Sequence, residues 1–359
     1  VAVGGRAAAA RIRASAGRVR MLAGGLIAAT AIVIALGVDT RFQTALPGYT
    51  NALQAKVEGN AAAALHRKQL PTYGQAPDFR GVSLWLNSPP LSLAQLRGKV
   101  VLVDFWTYSC INCLRTLPHL EAWDAAYRRR GLVIVGVHTP EFAFEHVPAN
   151  VAAAVRRYHV RYPVALDNDY GTWNAWHNQY WPAEFLVDKR GRVRHAHFGE
   201  GDYGGTENAI RQLLGEAGPR AAAVGDATPQ EPTTPESYLG YARLARYTGS
   251  QIERDRVATY HLAGVSTNEL SYGGRWTVEA ERIVAGPFAR LRLGFRASNV
   301  YLVLGGRGTV TARIGNGAPR TIPVDGDRLY TLRSGSRQLV STLDLRFTPG
   351  VAAYAFTFG

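Results

Sequence analysis

The sequence contains very little cysteine and lysine. Its 359 residues include two cysteines, and only four of its 41 basic residues are lysine. Two cysteines cannot build a multi-disulfide scaffold or supply a four-cysteine zinc site. The formal net charge of +14 suggests nucleic-acid binding, but the arginines are scattered among acidic residues and no aromatic RNA-binding motif occurs. We therefore expect no nucleic-acid partner.

Long apolar runs are also scarce. Residues 22–38 form a 17-residue stretch without a charge, preceded by five arginines and no acidic residue in residues 1–20. This is near the lower length limit for a membrane-spanning helix, and the arginines place its upstream end in the cytoplasm. We expect a basic cytoplasmic segment at 1–21, a transmembrane helix or signal anchor at 22–38 and a tether at 39–72. A cleavable signal peptide and a buried helix remain as alternatives, the former because residues 35–37 resemble a cleavage site.

Residues 99–118 hold both cysteines and predict a strand followed by a helix. Residues 100–105 are apolar and rich in β-branched side chains, which is typical of a strand buried on both faces of a sheet. Apolar residues then recur at helical spacing from Ile111 to Trp123. Cys110 therefore lies at the start of a helix, where the thiolate form of cysteine is favoured. Cys113, on the same side of the helix, can form a disulfide with it.

The Cys-x-x-Cys pair is interpreted as a two-electron redox switch, with two alternatives. Half of a zinc site would need other ligands, and no His-x₃₋₅-His pattern follows the cysteines. A purely structural disulfide would stabilise little across so short a loop.

The pattern Asp104-Phe-Trp-x-x-x-Cys110-x-x-Cys113-x-x-x-x-Pro118 resembles the active-site strand and helix of thioredoxins. An additional helix and strand predicted at 151–158 and 162–166 resemble the insertion of TlpA-type, membrane-tethered thioredoxins. The sequence of residues 106–113, Trp-Thr-Tyr-Ser-Cys-Ile-Asn-Cys, together with a β-rich tail, resembles the C-terminal extracytoplasmic region of DipZ-type proteins. The resemblance covers residues 73–359 and implies an α/β thioredoxin-like fold, TlpA-type with insertion, at 73–218.

The resemblance implies roles for particular residues. Cys110 would be the attacking thiolate, Cys113 the resolving thiol and Asp104 the buried acid that handles the proton of Cys113. Pro182 occupies the position of a cis-proline opposite the cysteines, so we expect a cis Trp181–Pro182 bond. The residues expected to contact substrate are Trp106, Tyr108, Glu141, Trp181 and Pro182, with Glu145 as an alternative to Glu141.

Three departures from the thioredoxin pattern leave the redox potential and substrate open. Ser109 replaces the tryptophan that precedes the first cysteine, and Ile111-Asn112 replaces Gly-Pro between the cysteines. Thr116 stands where cytochrome-maturation reductases of this family often carry an acid.

The last third of the chain changes to a period of two. After an Ala/Pro/Thr-rich linker at 219–236, short alternating strands are separated by Gly-Gly, Gly-Asn-Gly and Asp-Gly-Asp turns. This predicts an all-β, jelly-roll-like sandwich at 237–359, similar in architecture to carbohydrate-binding modules. A cell-envelope glycan ligand and a scaffold or docking role are both open, because fold does not determine function.

Together these features predict a membrane-tethered thiol–disulfide oxidoreductase whose folded domains lie on the extracytoplasmic side of the cell membrane. The resemblance implies a disulfide reductase that receives electrons from a CcdA/DsbD-type membrane donor, which a longer chain could carry upstream. Its substrates would be protein dithiols or disulfides, in cytochrome c maturation or in maintenance of envelope thiols. We expect no cofactor and no metal, because His138, Glu141, Glu145 and His146 show no recognised metal-ligand spacing.

Two other functions compete. Thr107-x-x-Cys110 matches the Thr-x-x-Cys of peroxiredoxin-like peroxidases, but Val103 stands at their proline position and Cys113 is too close to be their usual resolving cysteine. A non-enzymatic, glycan-binding envelope protein with vestigial cysteines is the third hypothesis.

Overall fold

The computed structural model describes residues 70–215 and 218–359. The basic segment, the apolar stretch at 22–38 and the tether up to residue 69 lie outside the described residues. Within the described ranges, no helix combines the length and apolar character needed to cross a membrane.

The first part of the described chain is a seven-stranded sheet with helices. Its strands are β1 (Gly74–Gln75), β2 (Leu84–Leu86), β3 (Val100–Trp106), β4 (Leu132–His138), β5 (Val164–Leu166), β6 (Ala183–Val187) and β7 (Arg192–Phe198). Its helices are α1 (Ile111–Tyr127), α2 (Pro148–Arg157), α3 (Gly171–Ala175) and α4 (Tyr203–Leu214). The strand order is β1-β7-β6-β3-β4-β5-β2. This confirms the thioredoxin-like α/β fold, including the predicted inserted helix α2 and strand β5.

Strand β3 lies at the centre of this sheet because it is apolar on both faces. It pairs in parallel with β4 and antiparallel with β6, and all seven of its residues are buried. Leu102 packs in one core with Leu117 and Leu120 of α1, whereas Val103 packs on the other face with Val135 and Phe185. The C-terminal end of this buried strand therefore fixes the position of the cysteine loop and of the start of α1.

The second part of the described chain is all β. Its strands are β8 (Ser237–Tyr238), β9 (Val257–Tyr260), β10 (Leu270–Val278), β11 (Ile283–Ala285), β12 (Arg290–Ala297), β13 (Val300–Gly305), β14 (Gly308–Ile314), β15 (Arg320–Val324), β16 (Arg328–Arg333), β17 (Leu339–Phe347) and β18 (Ala352–Phe358). They form two layers, β15-β14-β17-β12 and β11-β18-β13-β16, joined through β10. One core contains Leu293 and Leu343 from the first layer and Leu302 and Phe356 from the second. The predicted jelly-roll-like sandwich is confirmed.

Strand β10 belongs to both layers because it changes partner at Gly274. Residues 270–273 pair with β12, residues 274–277 pair with β9, and residues 276–278 pair with β11 on the other side. Gly274 has a φ of +77°, and a Cβ there would collide with the carbonyl oxygen of Phe288. Only glycine fits this bend without strain.

The sandwich packs directly against the thioredoxin-like part. Val303, Leu329 and Tyr354 belong to the same buried core as α1 and α2, and the Tyr354 ring lies 4.8 Å from that of Phe144. All seven residues of β18 are buried, because one face lies in the sandwich core and the other faces this interface. The alternating pattern predicts a sandwich strand, but it does not predict that the outer face is covered.

Candidate active site

The two cysteines lie at the start of α1 in unequal environments. Cys110 is the N-cap residue, is half-buried, and its Sγ accepts a hydrogen bond from the backbone N–H of Cys113 at 3.4 Å. Cys113 is 1% exposed, and burial first, then its hydrogen bond to Cys110, raises its thiol pKa. A partner disulfide can therefore reach Cys110 more easily than Cys113.

Asp104 lies beneath Cys113 on β3. It is 1% exposed, and within residues 70–215 and 218–359 neither carboxylate oxygen has a hydrogen-bond partner. Burial, with a smaller contribution from the Glu184 carboxylate, raises the pKa of Asp104 well above its usual value. Asp104 also acts electrostatically on the Cys113 thiol. This environment gives Asp104 the means to hold a proton close to Cys113.

Glu184 is a functional candidate that the sequence reasoning missed. It lies on β6 directly opposite Asp104, is 1% exposed, and accepts a hydrogen bond from the Thr206 hydroxyl at 3.0 Å. Burial is the main cause that raises its pKa. The available signal was a glutamate inside an otherwise apolar strand, since buried carboxylates are rare without a reason.

Glu145 holds the loop that precedes Cys110. Its side chain is fully buried and accepts hydrogen bonds from Ser109 N (3.2 Å), Ser109 Oγ (2.7 Å), Glu141 N (2.7 Å) and Phe142 N (3.1 Å). Burial raises its pKa to about 7, although these donors and Thr107 oppose the shift. The sequence offers Glu145 as an alternative substrate contact, whereas in the structure its buried carboxylate holds the Ser109 loop.

Glu141 also differs from its predicted role as a substrate contact. Its Oε1 accepts hydrogen bonds from the Tyr238 hydroxyl at 2.7 Å and from Arg243 Nη1 at 2.8 Å, and its side chain is 8% exposed. Both partners belong to the C-terminal part of the chain. The carboxylate is therefore used in the interface between the two parts rather than on an open surface.

Trp106 and Tyr108, also predicted to contact substrate, are core residues. They are 0% and 2% exposed, and their rings pack against His138 at centroid distances of 5.4 and 5.6 Å. Trp106 is covered because it belongs to the core that β3 shares with α1. Tyr108 is covered because the sandwich packs nearby, through the cluster that contains Phe144 and Tyr354.

The Trp181–Pro182 bond is cis, which confirms the prediction from the sequence. Trp181 is half-buried; its ring lies 4.3 Å from that of Trp173, and its Nε1 donates to the Thr139 carbonyl at 3.1 Å. Pro182 is buried directly before β6. Tyr180, 48% exposed, is the open aromatic residue of this segment.

Arg115 is a second residue that the sequence reasoning missed. Its guanidinium binds both carboxylate oxygens of Glu200, at 2.6 and 2.7 Å, and Asn112 Oδ1 at 2.8 Å. It also interacts electrostatically with Cys110, five residues earlier in the chain. No grouping of three or more His, Cys, Asp or Glu side chains suited to a metal occurs in the described ranges.

Comparison with known proteins agrees with this geometry. Residues 74–196 match the AhpC/TSA family, and residues 234–359 match the family described as thioredoxin like C-terminal domain. The proteins named DipZ from Mycobacterium bovis and Mycobacterium tuberculosis are each 40% identical over 339 residues, which is 91% of this chain and 48% of each DipZ. The chain thus spans about half the length of these relatives.

A smaller relative covers the cysteine-containing part. Thiol-disulfide oxidoreductase YkuV from Bacillus subtilis is 26% identical over 140 residues, which is 39% of this chain and 94% of YkuV. The chain thus combines a thioredoxin-like α/β part, with a buried acid, a cis-proline and a half-buried first cysteine, with a C-terminal sandwich, and it is similar over 91% of its length to about half of DipZ.

Proposed function

We propose that this chain is a thiol–disulfide oxidoreductase, and specifically a disulfide reductase in which Cys110 attacks and Cys113 resolves. The observation that carries the proposal is the unequal burial of the two sulfurs, with Cys113 enclosed above Asp104 and Cys110 half-buried at the helix start. This arrangement suits protein disulfides as substrates. After attack, the substrate stays covalently bound to Cys110 as a mixed disulfide until Cys113 displaces it.

The reaction proceeds in two exchanges. The Cys110 thiolate attacks one sulfur of the substrate disulfide, which forms a mixed disulfide and releases the other sulfur as a thiolate. Cys113 then gives its proton to Asp104 and attacks Cys110 Sγ, so the Cys110–Cys113 disulfide forms and the second substrate thiolate leaves. Two electrons pass from the enzyme to the substrate, and a dithiol donor must return them.

Trapping tests the two roles. Cys113→Ala should accumulate a mixed disulfide between Cys110 and its substrate, because no resolving thiol remains. Cys110→Ala should form no such adduct. Non-reducing electrophoresis and mass spectrometry would detect the adducts, and trapping by Cys110→Ala instead would show that the roles are reversed.

The direction of electron flow and the location belong to the same proposal. We propose that residues 22–38 tether the chain to the cell membrane, that the folded domains lie on the extracytoplasmic side, and that a CcdA/DsbD-type membrane protein supplies electrons. Arginines before an uncharged stretch support the orientation. The roles would be cytochrome c maturation or maintenance of envelope thiols.

The reduction potential of the cysteine pair tests the direction. A value near thioredoxin's, about −270 mV, supports a reductase, and one near DsbA's, about −120 mV, would indicate an oxidase. Fractionation of cells that express the full chain, followed by external protease, tests the location. Protection of the folded domains in intact spheroplasts would contradict it.

The C-terminal sandwich is proposed as a scaffold for the thioredoxin-like part. Its support is the shared core around Tyr354 and the Glu141–Arg243 ion pair of 2.8 Å. A glycan-binding role is a separate proposal that the architecture alone suggests. Co-sedimentation of the full chain with purified cell-wall polysaccharide tests it, and no enrichment over a thioredoxin control would count against it.

A thiol peroxidase is the second candidate, favoured by the match of residues 74–196 to the AhpC/TSA family. In the structure, however, the Thr107 hydroxyl lies 3.4 Å from His138 Nε2 and also interacts with Glu145. If the chain is a disulfide reductase, Thr107→Val should keep most of the disulfide reduction of the wild type. Both the wild type and the variant should then show little peroxide turnover. Fast peroxide turnover that this variant loses would favour the peroxidase.

A further inference from the structure

Three side chains form a straight row across the central sheet below the cysteines. Asp104 on β3 is in register with Glu184 on β6, and Glu184 is in register with His197 on β7. Directly opposed residues of antiparallel strands point to the same face, with Cβ atoms about 5 Å apart. Leu102 and Trp106, which flank Asp104 in alternation, pack against α1, so this face is the one covered by the cysteine helix.

The row is buried and incompletely hydrogen-bonded. The exposed fractions of Asp104, Glu184 and His197 are 1%, 1% and 5%. In the part of the chain that the structure describes, both oxygens of Asp104, Oε1 of Glu184 and Nε2 of His197 have no hydrogen-bond partner. Buried polar atoms without partners are costly, and two ionised carboxylates side by side in a dry interior are costlier still.

We propose that Glu184 is a proton-relay residue that shares one proton with Asp104 and takes up the proton that Cys113 releases during resolution. The pair cannot hold two charges at neutral pH, since like charges at this separation cannot both ionise in a dry interior. One carboxyl therefore stays protonated while the other accepts the Cys113 proton. This inference rests on the proposed function, because it assumes that Cys113 resolves the mixed disulfide.

The surroundings of the row are consistent with a relay. The Thr206 hydroxyl on α4 donates to Glu184 Oε2 at 3.0 Å and lies 3.3 Å from His195 Nε2. His197 favours the ionised form of Glu184 electrostatically. On β4 the residue in register with Asp104 is Gly136, which carries no charge. The titratable groups around the pair are Cys113 from α1, Tyr162 before β5, His195 and His197 on β7, and Asp202 at the start of α4.

The pH profile of resolution tests the relay. Reduced full chain mixed with 5,5′-dithiobis(2-nitrobenzoate) should release thionitrobenzoate in two phases, the first from attack by Cys110 and the second from attack by Cys113. The rate of the second phase should rise with pH as the fully protonated pair loses its first proton and becomes able to accept one. Glu184→Gln removes the carboxyl that shares a proton with Asp104 and so stabilises its charge, and the rising limb should therefore move to higher pH by about 1 unit.

Asp188→Asn is the matched control, since Asp188 is a buried acid just beyond the opposite end of β6, next to Arg192 and Arg194. It should leave the limb where it is in the wild type. A second phase that depends on Cys113 and responds to Asp104→Asn, but has the same profile in Glu184→Gln as in wild type, would overturn the relay alone. A second phase that persists in Cys113→Ala would instead overturn the proposed function.

A measurement on the wild type avoids dependence on the folding of a variant. Infrared difference spectra between the oxidised and reduced enzyme should show a change in the protonated-carboxyl C=O band, because the cysteine pair exchanges a proton with the acids. Absence of any carboxyl change between pH 6 and pH 9 would contradict the relay.

Discussion

Two buried acidic centres flank the cysteine pair, and they differ in how their carboxylates are satisfied. Glu145, beside the Ser109 loop, is fully buried and accepts four hydrogen bonds from backbone and hydroxyl donors. Asp104, beneath Cys113, is equally buried and has no hydrogen-bond partner among the described residues. Burial raises the pKa of both groups, but to about 7 for Glu145 and well above the usual value for Asp104.

The difference in hydrogen-bond donors suits Glu145 to anchor a loop and, under the proposed function, suits Asp104 to exchange a proton with Cys113. Donors that point at a carboxylate stabilise its charge and offset the cost of burial, so Glu145 can ionise and hold a loop in place. A carboxyl with no donors retains its proton until a neighbour changes charge, so Asp104 can exchange protons with Cys113. Equal burial therefore gives different chemistry, and the following predictions test that contrast.

The largest effect should come from Asp104→Asn. Asparagine keeps the shape but cannot accept the Cys113 proton, so resolution of the mixed disulfide at neutral pH should slow by about 10³-fold. The second phase of thionitrobenzoate release measures this rate, while the first phase should change little. Equal slowing of both phases would mean that Asp104 supports the site structurally.

Glu145→Leu should instead reduce stability. It leaves the Ser109 hydroxyl and several backbone N–H groups without an acceptor, which should lower the free energy of unfolding by about 4 kcal/mol. Denaturant titration measures this loss. Glu145→Gln, which keeps one acceptor oxygen, should lose less, and equal stability of all three proteins would refute the anchor.

The pH dependence of stability provides a third contrast. The raised pKa of Glu145, about 7 against an ordinary 4.5, means that the folded chain binds more protons than the unfolded chain between these values. Stability contributed by this group is therefore fully present below about pH 4.5 and declines up to pH 7, by about 3 kcal/mol at most. Glu145→Gln should remove this part of the slope. Identical slopes in the variant and the wild type would show that Glu145 ionises as easily when folded as when unfolded.

The smallest effect should follow Arg243→Met, which tests whether the anchor depends on the C-terminal sandwich. Arg243 pairs with Glu141, four residues before Glu145, but its side chain is 38% exposed, so solvent screening limits the loss to about 1 kcal/mol. The Cys110 phase should be unchanged. Arg254→Met, which removes a cation that lies 4.8 Å from the Tyr241 ring, is the surface control. A larger loss at position 254 than at 243 would contradict a stabilising interface.

Much of the cysteine site could be predicted from the sequence because its signals are local. An apolar β-branched run, a helical period that begins at Cys110 and a proline before the next strand place the cysteine pair and the cis-proline. The substrate contacts could not be predicted in the same way. Trp106, Tyr108 and Glu141 have the chemistry of binding residues, but the sandwich and the central sheet cover them.

The sequence by itself determined where the two cysteines lie, since an apolar β-branched run followed by a helical period places them at the start of a helix behind a buried strand. It also determined the two-part fold, because the hydrophobic period changes from helical to alternating near residue 237. Tertiary structure alone decided which acids meet and which groups surround them. Asp104 and Glu184 are 80 positions apart, yet strand register sets them side by side. Glu141 and Arg243 are joined only because the sandwich packs against the loop. The burial of a carboxyl and the number of hydrogen-bond donors around it depend on such long-range packing. Together they decide whether the carboxyl is suited to anchor a loop or to exchange a proton.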